Sequence, residues 1–343
     1  MNFPFAKQIS RIAIASLTLT MVSAAHAQQI RSITTFATGT AVNATQPDSI
    51  TLSNNSVWVE YGNGADSTGL FGSSTIVQYK RNGQVRYTYT IPGLVDGLKI
   101  DPGTGLVWAL QNQDGNSTLS LIDPKKHTVT GPIPYAVKSS TRGYDDVAFR
   151  GNQVFLSYTN PVLPTDPTIQ LLQNGSDPLV VTPILLMGAT GTNLATGQQN
   201  QPISDTDPDS LKLTPSGDLM LTGEADGQLI FVGNPGPNQS VSFLQLIDPS
   251  TGLNISGIDD AVITTAKNGK ETFYLSDTGN NRVLKIEVDK VPVGSLFCSI
   301  SSLNYLGLVD FQTGVATPFV SNLNGPHGLE LVTRGNGDNN NDQ

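Results

Sequence analysis

The sequence predicts an all-β fold, a six-bladed β-propeller in which each blade is a four-stranded antiparallel sheet. Three observations carry that expectation. Of 343 residues, 34 are Gly and 21 are Pro, and only 14% are charged, against roughly 25% in an average soluble domain; this is a profile of many turns and few exposed helices. Hydrophobic residues still make up 38% of the chain, enough for a sizeable core and too many for disorder or a collagen-like fibre. The third observation is internal repetition at the spacing of a propeller blade.

Six short segments align: PDSITL (Pro47 to Leu52), VDGLKI (Val95 to Ile100), YDDVAF (Tyr144 to Phe149), PDSLKL (Pro208 to Leu213), IDDAVI (Ile258 to Ile263) and PHGLEL (Pro326 to Leu331). The second residue of each is acidic or His: Asp48, Asp96, Asp145, Asp209, Asp259 and His327, separated by 48, 49, 64, 50 and 68 residues. Apolar residues then recur with period two, as in Ile50 and Leu52 or Leu211 and Leu213, which is the signature of a strand.

A second strand follows most of these segments after a turn, reading VWVEY, VWALQ, VFLSY, LMLTG and FYLSD, with FYLSD as the second strand of the fifth unit. TIVQYK, STLSLID, QLIFVG and RVLKIEV are third strands, and QVRYTYT and HTVTGPI are fourth strands. Six such units fit a mature length of 316 residues, about 53 each. A seven-bladed ring is the alternative, because SLFCSIS, NYLGLVDF and GVATPFV between Val291 and Val320 fit one blade awkwardly. Since unpaired first and last blades would expose strand edges, ITTF (Ile33 to Phe36) is expected to close the ring by pairing in the last blade.

Residues 1–27 have the parts of a secretory signal: Lys7 and Arg11 in a basic leader, an apolar run from Ile12 to Val22, and Ala25-His26-Ala27 before the cut. The expected product is a single domain over 28–334, exported to the periplasm or the extracellular space, with a disordered polar tail at 335–343. No later stretch reaches the roughly 20 apolar residues of a membrane helix. Removing the leader leaves 17 Lys and Arg against 28 Asp and Glu, a net charge of -11, which excludes nucleic acid as a natural partner. With Cys298 as the sole Cys, and His127 and His327 as the His residues left after cleavage, a zinc site of His and Cys ligands is excluded; a bound metal would be a hard cation held by oxygens. Oligomeric state is not legible.

The stretch SDTGNNRVLKIEV (Ser276 to Val288) resembles the NHL repeat, and STLSLIDPKKHTVTG and NYLGLVDFQTGVATPF look like the third and fourth strands of bacterial secreted propellers. The resemblance is to the broad group of NHL proteins and gluconolactonase-type enzymes. It implies a central channel with a ligand face, in members that range from calcium-dependent lactonases to adaptors without catalysis.

If the aligned residues start their strands at one face, each antiparallel second strand ends at that same face. This places Glu60, Asn63, Asp66, Asn112, Asp114, Asn160, Glu224, Asp226, Asp277, Asn280 and Asn281 around the same mouth. One reading is an acidic mouth binding Ca²⁺, with Asp209 and Asp259 as ligands, or a cationic or polyhydroxylated molecule. The other is that each aligned Asp, lying two and four positions before apolar residues, points between blades and accepts backbone hydrogen bonds there. His327 is a candidate general base. Asp205, Asp207 and Asp209 have the alternate spacing of a calcium loop but lack its Gly and Glu, and the insert Gly188 to Asp207 is placed to cover the channel.

The function expected is binding of a small molecule or protein partner at this mouth. The alternative is a calcium-dependent hydrolase or lactonase of the gluconolactonase type, in which Glu60, Asn160 and Asp209 or Asp277 match by residue type those that would hold the ion. No Gly-x-Ser-x-Gly elbow or phosphate loop is present.

Overall fold

The computed structural model describes residues 29–332 apart from Asn54 and Asn174, so the leader and the polar tail lie outside the described residues. Six antiparallel sheets stand in a ring, each with four blade strands. Blade 1 comprises Pro47–Ser53, Ser56–Tyr61, Ser73–Lys80 and Val85–Pro92. Blade 2 comprises Val95–Ile100, Val107–Gln111, Thr118–Asp123 and Thr128–Pro134. Blade 3 comprises Tyr144–Arg150, Gln153–Tyr158, Pro167–Gln173 and Val180–Leu186. Blade 4 comprises Pro208–Leu213, Leu219–Gly223, Gln228–Gly233 and Ser240–Gln245. In every blade the aligned segment is the innermost strand.

The last two blades differ from the expected connectivity. Ile258–Ile263 pairs not with FYLSD but with Leu296–Ile300, followed by Tyr305–Val309 and Ala316–Val320, which together form blade 5. The three runs that suggested a seventh blade are therefore the rest of the fifth. The skipped hairpin Glu271–Asp277 and Arg282–Asp289 crosses to blade 6, between the innermost Pro326–Leu331 and the outermost Gln29–Thr38. The N-terminal strand closes the ring as expected, pairing with Arg282–Asp289 along its length. Nothing in a strand's own pattern distinguishes its blade from the next, because every blade presents the same alternating face; the choice is made by tertiary packing.

Between each adjacent pair of blades lies one apolar layer, six in all among the described residues. Trp58 and Ile76 of blade 1 pack on Val95 and Leu98 of blade 2, and Tyr274 and Val283 of blade 6 on Ile50 and Val57 of blade 1. The inner strands thus bury both faces against neighbours, which explains why a second strand such as Ser56–Tyr61 is buried at every position, whereas an outer strand such as Val85–Pro92 is mostly exposed. Turns between strands use residues that tolerate positive φ, Gly151 (φ 59°) between the first two strands of blade 3 being one.

Every innermost strand carries a bulge at the same place. Pairing slips between Pro47 and Ile50, Val95 and Leu98, Tyr144 and Val147, Pro208 and Leu211, and Ile258 and Ala261. In blade 6 it slips opposite Ser276, across from His327 and Gly328. Two residues, the aligned Asp or His and its successor, therefore face one residue of the second strand. A bulge shifts side-chain phase by one, so the aligned residue is not on the face of the apolar residues two and four positions later. The bulge N–H is taken by a hydroxyl opposite: Ser157 Oγ accepts from Asp146 N (2.8 Å), Thr222 Oγ1 from Ser210 N (2.9 Å) and Ser299 Oγ from Asp260 N (3.0 Å).

Candidate functional site

The six bulges turn their first residues to one end of the channel, where they form two clusters. In one, His327 Nδ1 lies 3.0 Å from Asp259 Oδ2 and 3.4 Å from Asp48 Oδ2. In the other, carboxylate oxygens of Asp96, Asp145 and Asp209 all lie within 4.8 Å of one another. The cavity that Asp48, Asp96, Asp145, Asp209 and Asp259 line is about 30 Å³, room for an ion or one to two waters rather than an organic molecule.

The electrostatics of the two clusters are unlike. Burial alone would depress the His327 pKa, but Asp259 and Asp48 hold it up to about 12, so at neutral pH it is an imidazolium and a proton donor rather than a base. Burial pushes Asp259 up to about 7 against the pull of His327. Asp96 and Asp145 are both raised by burial, the first also by Asp48 and the second by Asp96. Asp209 is raised by burial and then by Asp259 and Glu224.

Two residues from the second-strand ends join the mouth. Glu224 is raised mainly by burial, with His327 opposing. Glu60 stands opposite the Asp48-Ser49 bulge, where four other blades place a Ser or Thr. It is fully buried, neither carboxylate oxygen has a hydrogen-bond partner, and burial followed by Asp48 lifts its pKa well above the ordinary value, with nearby Ser74 offsetting only in part. An ionised carboxylate there lacks a counter-charge, which costs several kcal/mol. Asp207, raised to about 6 by burial and Glu224, and Asp114 add to the same field.

The residues that tie blades together are the second residues of the bulges. Asp146 Oδ2 accepts from Leu211 N of blade 4 (3.0 Å), and Asp260 Oδ2 accepts from Leu329 N of blade 6 (2.8 Å). Where the second residue is Gly97 or Gly328, a Cβ would overlap the carbonyl oxygen of Asp145 or Asp48 in the next blade, so only glycine fits. Interblade bonding, expected of the aligned Asp set, thus falls one position later because of the bulge.

Deeper in the channel, Lys99, Lys212 and Glu330 meet from alternate blades. Lys99 Nζ lies 3.3 Å from Asp146 Oδ2 and from Glu330 Oε1; Lys212 Nζ lies 2.7 Å from Asp260 Oδ2 and 3.3 Å from Glu330 Oε1. Burial opposes charge on Lys99, but Asp146 and Glu330 hold its pKa far above the ordinary lysine value, while Lys212 and Lys99 keep Asp260 ionised despite its burial. The signal was present in the sequence, since VDGLKI, PDSLKL and PHGLEL carry a charge as fifth residue where the other three segments have Thr51, Ala148 and Val262.

The remaining candidates have local partners. Asp277 pairs with Arg282 (2.7 Å) and accepts from Asn324 N, inside the last blade and its flanking loop. Asn160 donates to Asp114 (2.6 Å) at the rim, Asn63 donates to Ser73 O and Thr75 Oγ1, and Asp226 accepts from Ser204 and Thr206. Asp66 accepts from Thr68 and Leu70 N–H, and Asn281 donates to Ala44 O. The insert from Gly188 does not lie across the channel. Its strand Thr190–Asn193 adds in parallel to the outer edge of blade 4 and pairs with Gln201–Pro202, so it widens that blade to six strands.

No protein-family model and no curated protein matches the sequence. Among solved structures, the chain is similar to a streptogramin B lyase at 14% identity and TM-score 0.49, covering 87% of this chain and 90% of that one. It is similar to the periplasmic gluconolactonase of Pseudomonas aeruginosa at 13% identity and TM-score 0.46, covering 84% and 88%. A third is the virginiamycin B lyase of Staphylococcus aureus, at 12% identity and TM-score 0.44, covering 83% and 88%.

Proposed function

We propose that the protein is an exported propeller whose acidic mouth binds a divalent cation, calcium by its ligand chemistry, and through it a ligand or partner on the same face. The observation that carries the reading is the division of the mouth. Asp48 and Asp259 have the His327 imidazolium, and Asp146, Asp260 and Glu330 have Lys99 and Lys212, but among the described residues Asp96, Asp145 and Asp209 form no ion pair with a cationic side chain. At an effective dielectric constant near 20, each ionised pair in that trio would repel by about 3 kcal/mol, and the three together would offset much of a domain's stability. Shared protons or a bound cation must therefore compensate them.

The geometry suits calcium. Oxygens on opposite sides of a calcium ion stand about 5 Å apart, and the trio's oxygens lie within 4.8 Å. Asp96, Asp145 and Asp209 would hold the ion, with Asp259 committed to His327 rather than to the metal, and unpartnered Glu60 beside Asp48 and Asp96 adding negative potential. Calcium takes six to eight oxygens, so three carboxylates leave positions on the open side for a ligand's oxygen. Oxygen donors without His or thiolate disfavour zinc. The leader-like residues 1–27 support export, where millimolar calcium is available.

Elemental analysis of protein purified without chelator tests this reading. About one equivalent of calcium, together with a melting temperature that falls when chelator removes it, is the expected result. No metal and no chelator-dependent shift would overturn it.

A further inference from the structure

The mouth face is built unequally. Loops joining second to third strands run over eleven residues in blade 1 (62–72), six in blade 2 (112–117) and eight in blade 3 (159–166), but over four residues in each of blades 4, 5 and 6 (224–227, 301–304 and 278–281). The long loops stand on contiguous blades and are bonded into a wall. Asp114 N donates to Ser67 O, Asn116 Nδ2 to Thr68 O, Asn116 N to Ser139 O, and Thr159 Oγ1 to Gln113 O, while Arg142 pairs with Asp166.

This wall displays large apolar side chains that the fold does not use. Leu70 is 77% exposed, Phe71 65%, Val137 74%, Val162 67% and Leu163 57%. Two Asp residues fix the backbones that carry most of them. Asp66 accepts from Thr68 N and Leu70 N, and Asp166 from Val162 N and Leu163 N. Single exposed apolar residues are ordinary, but five of them on mutually bonded segments beside a charged cleft mark an interaction surface. The foot of the wall is the acidic mouth itself, since Asp114 acts on both Asp145 and Asp207.

We infer that the wall docks a polypeptide partner whose apolar residues lie on Leu70, Phe71, Val137, Val162 and Leu163 and whose Lys or Arg reaches the adjoining carboxylates. Charge complementarity selects this occupant. A second copy placed mouth to mouth, or an anionic bilayer, would bring like charges together. The inference rests on the acidic mouth of the proposed function but not on an ion being held there.

Two labelled twelve-residue peptides, one alternating Leu with Lys and one alternating Leu with Glu, are titrated by fluorescence anisotropy. The Leu-Lys peptide should bind at least tenfold more tightly, and the triple variant Phe71→Ser, Val162→Ser, Leu163→Ser should weaken it at least tenfold. Calcium binding by that variant should match the parent, so the two readings fail separately. Should the triple variant not fold, Leu70→Ser with Val137→Ser perturbs the wall at two other points, one in the 62–72 loop and one in the 135–143 segment that joins blades 2 and 3. Equal binding of both peptides, binding unaffected by either variant, preferential binding to phosphatidylserine vesicles, or self-association abolished by the wall variants would each overturn the inference.

Discussion

Asp260 reaches from the fifth blade to the sixth and accepts the backbone N–H of Leu329 at 2.8 Å, while its sequence neighbour Asp259 turns into the channel mouth and meets His327 at 3.0 Å. One bulge gives two adjacent carboxylates opposite tasks. Asp260 also accepts from Ala261 N and holds Lys212, so it is fully engaged and buried.

Replacing Asp260 by Ala should therefore destabilise the fold by about 3 kcal/mol or more, because it removes the nearest carboxylate of buried Lys212, leaving Glu330 at 3.3 Å to hold that charge, and strips two backbone N–H groups of their acceptor. Asp259→Asn should cost much less. Urea unfolding of both variants checks the contrast, and equal losses would mean that the bulge does not separate the two roles.

The bulge N–H groups give a second expectation. Removing the opposing hydroxyl in Ser157→Ala, Thr222→Ala or Ser299→Ala strands a buried donor and should destabilise by about 1–3 kcal/mol each, as read from denaturant midpoints.

Deleting 29–38 should lower the melting temperature and promote aggregation, because it uncovers the edge of Arg282–Asp289 along its whole pairing. Differential scanning calorimetry with light scattering reads both effects. An unchanged melt would contradict closure through the N-terminal strand.

Stability without calcium should fall as pH rises from about 5 to 8. Carboxyls with raised folded pKa values stabilise fully below the unfolded value, and that contribution is lost as pH climbs through the folded one, about 6 for Asp207 and about 7 for Asp259. His327, raised to about 12, acts in the same direction above its ordinary value of 6.5. Asp66, Asp123, Asp166 and Asp248 are lowered by their hydrogen bonds and so matter only at more acid pH. Melting curves across this range should slope downward, and calcium, by replacing shared protons, should flatten them.

The ring of six blades was legible because apolar alternation and the aligned segments both recur near every 50 residues. The crossover that gives Glu271–Asp277 to blade 6 was not, since the hairpin's pattern suits either blade equally. At the site, Asp48, Asp96, Asp145, Asp209, Asp259 and His327 were found by alignment alone. Their division into a His-compensated pair and an uncompensated trio depends on which blades stand next to one another across the channel, and the phase of Asp146 and Asp260 depends on a bulge that period-two counting passes over. Asp277 fell away because Arg282, five residues on, is its partner.

Isothermal titration of calcium into chelator-treated protein at pH 7.5, for the parent and for Asp209→Asn, is the most direct test of the cation site. The expected result is a single saturable site in the parent, proton release on binding, and affinity at least tenfold weaker in the variant, which keeps the parent's fold and acceptor volume. No binding heat in the parent, or an isotherm that Asp209→Asn leaves unchanged, would contradict a divalent cation at Asp96, Asp145 and Asp209.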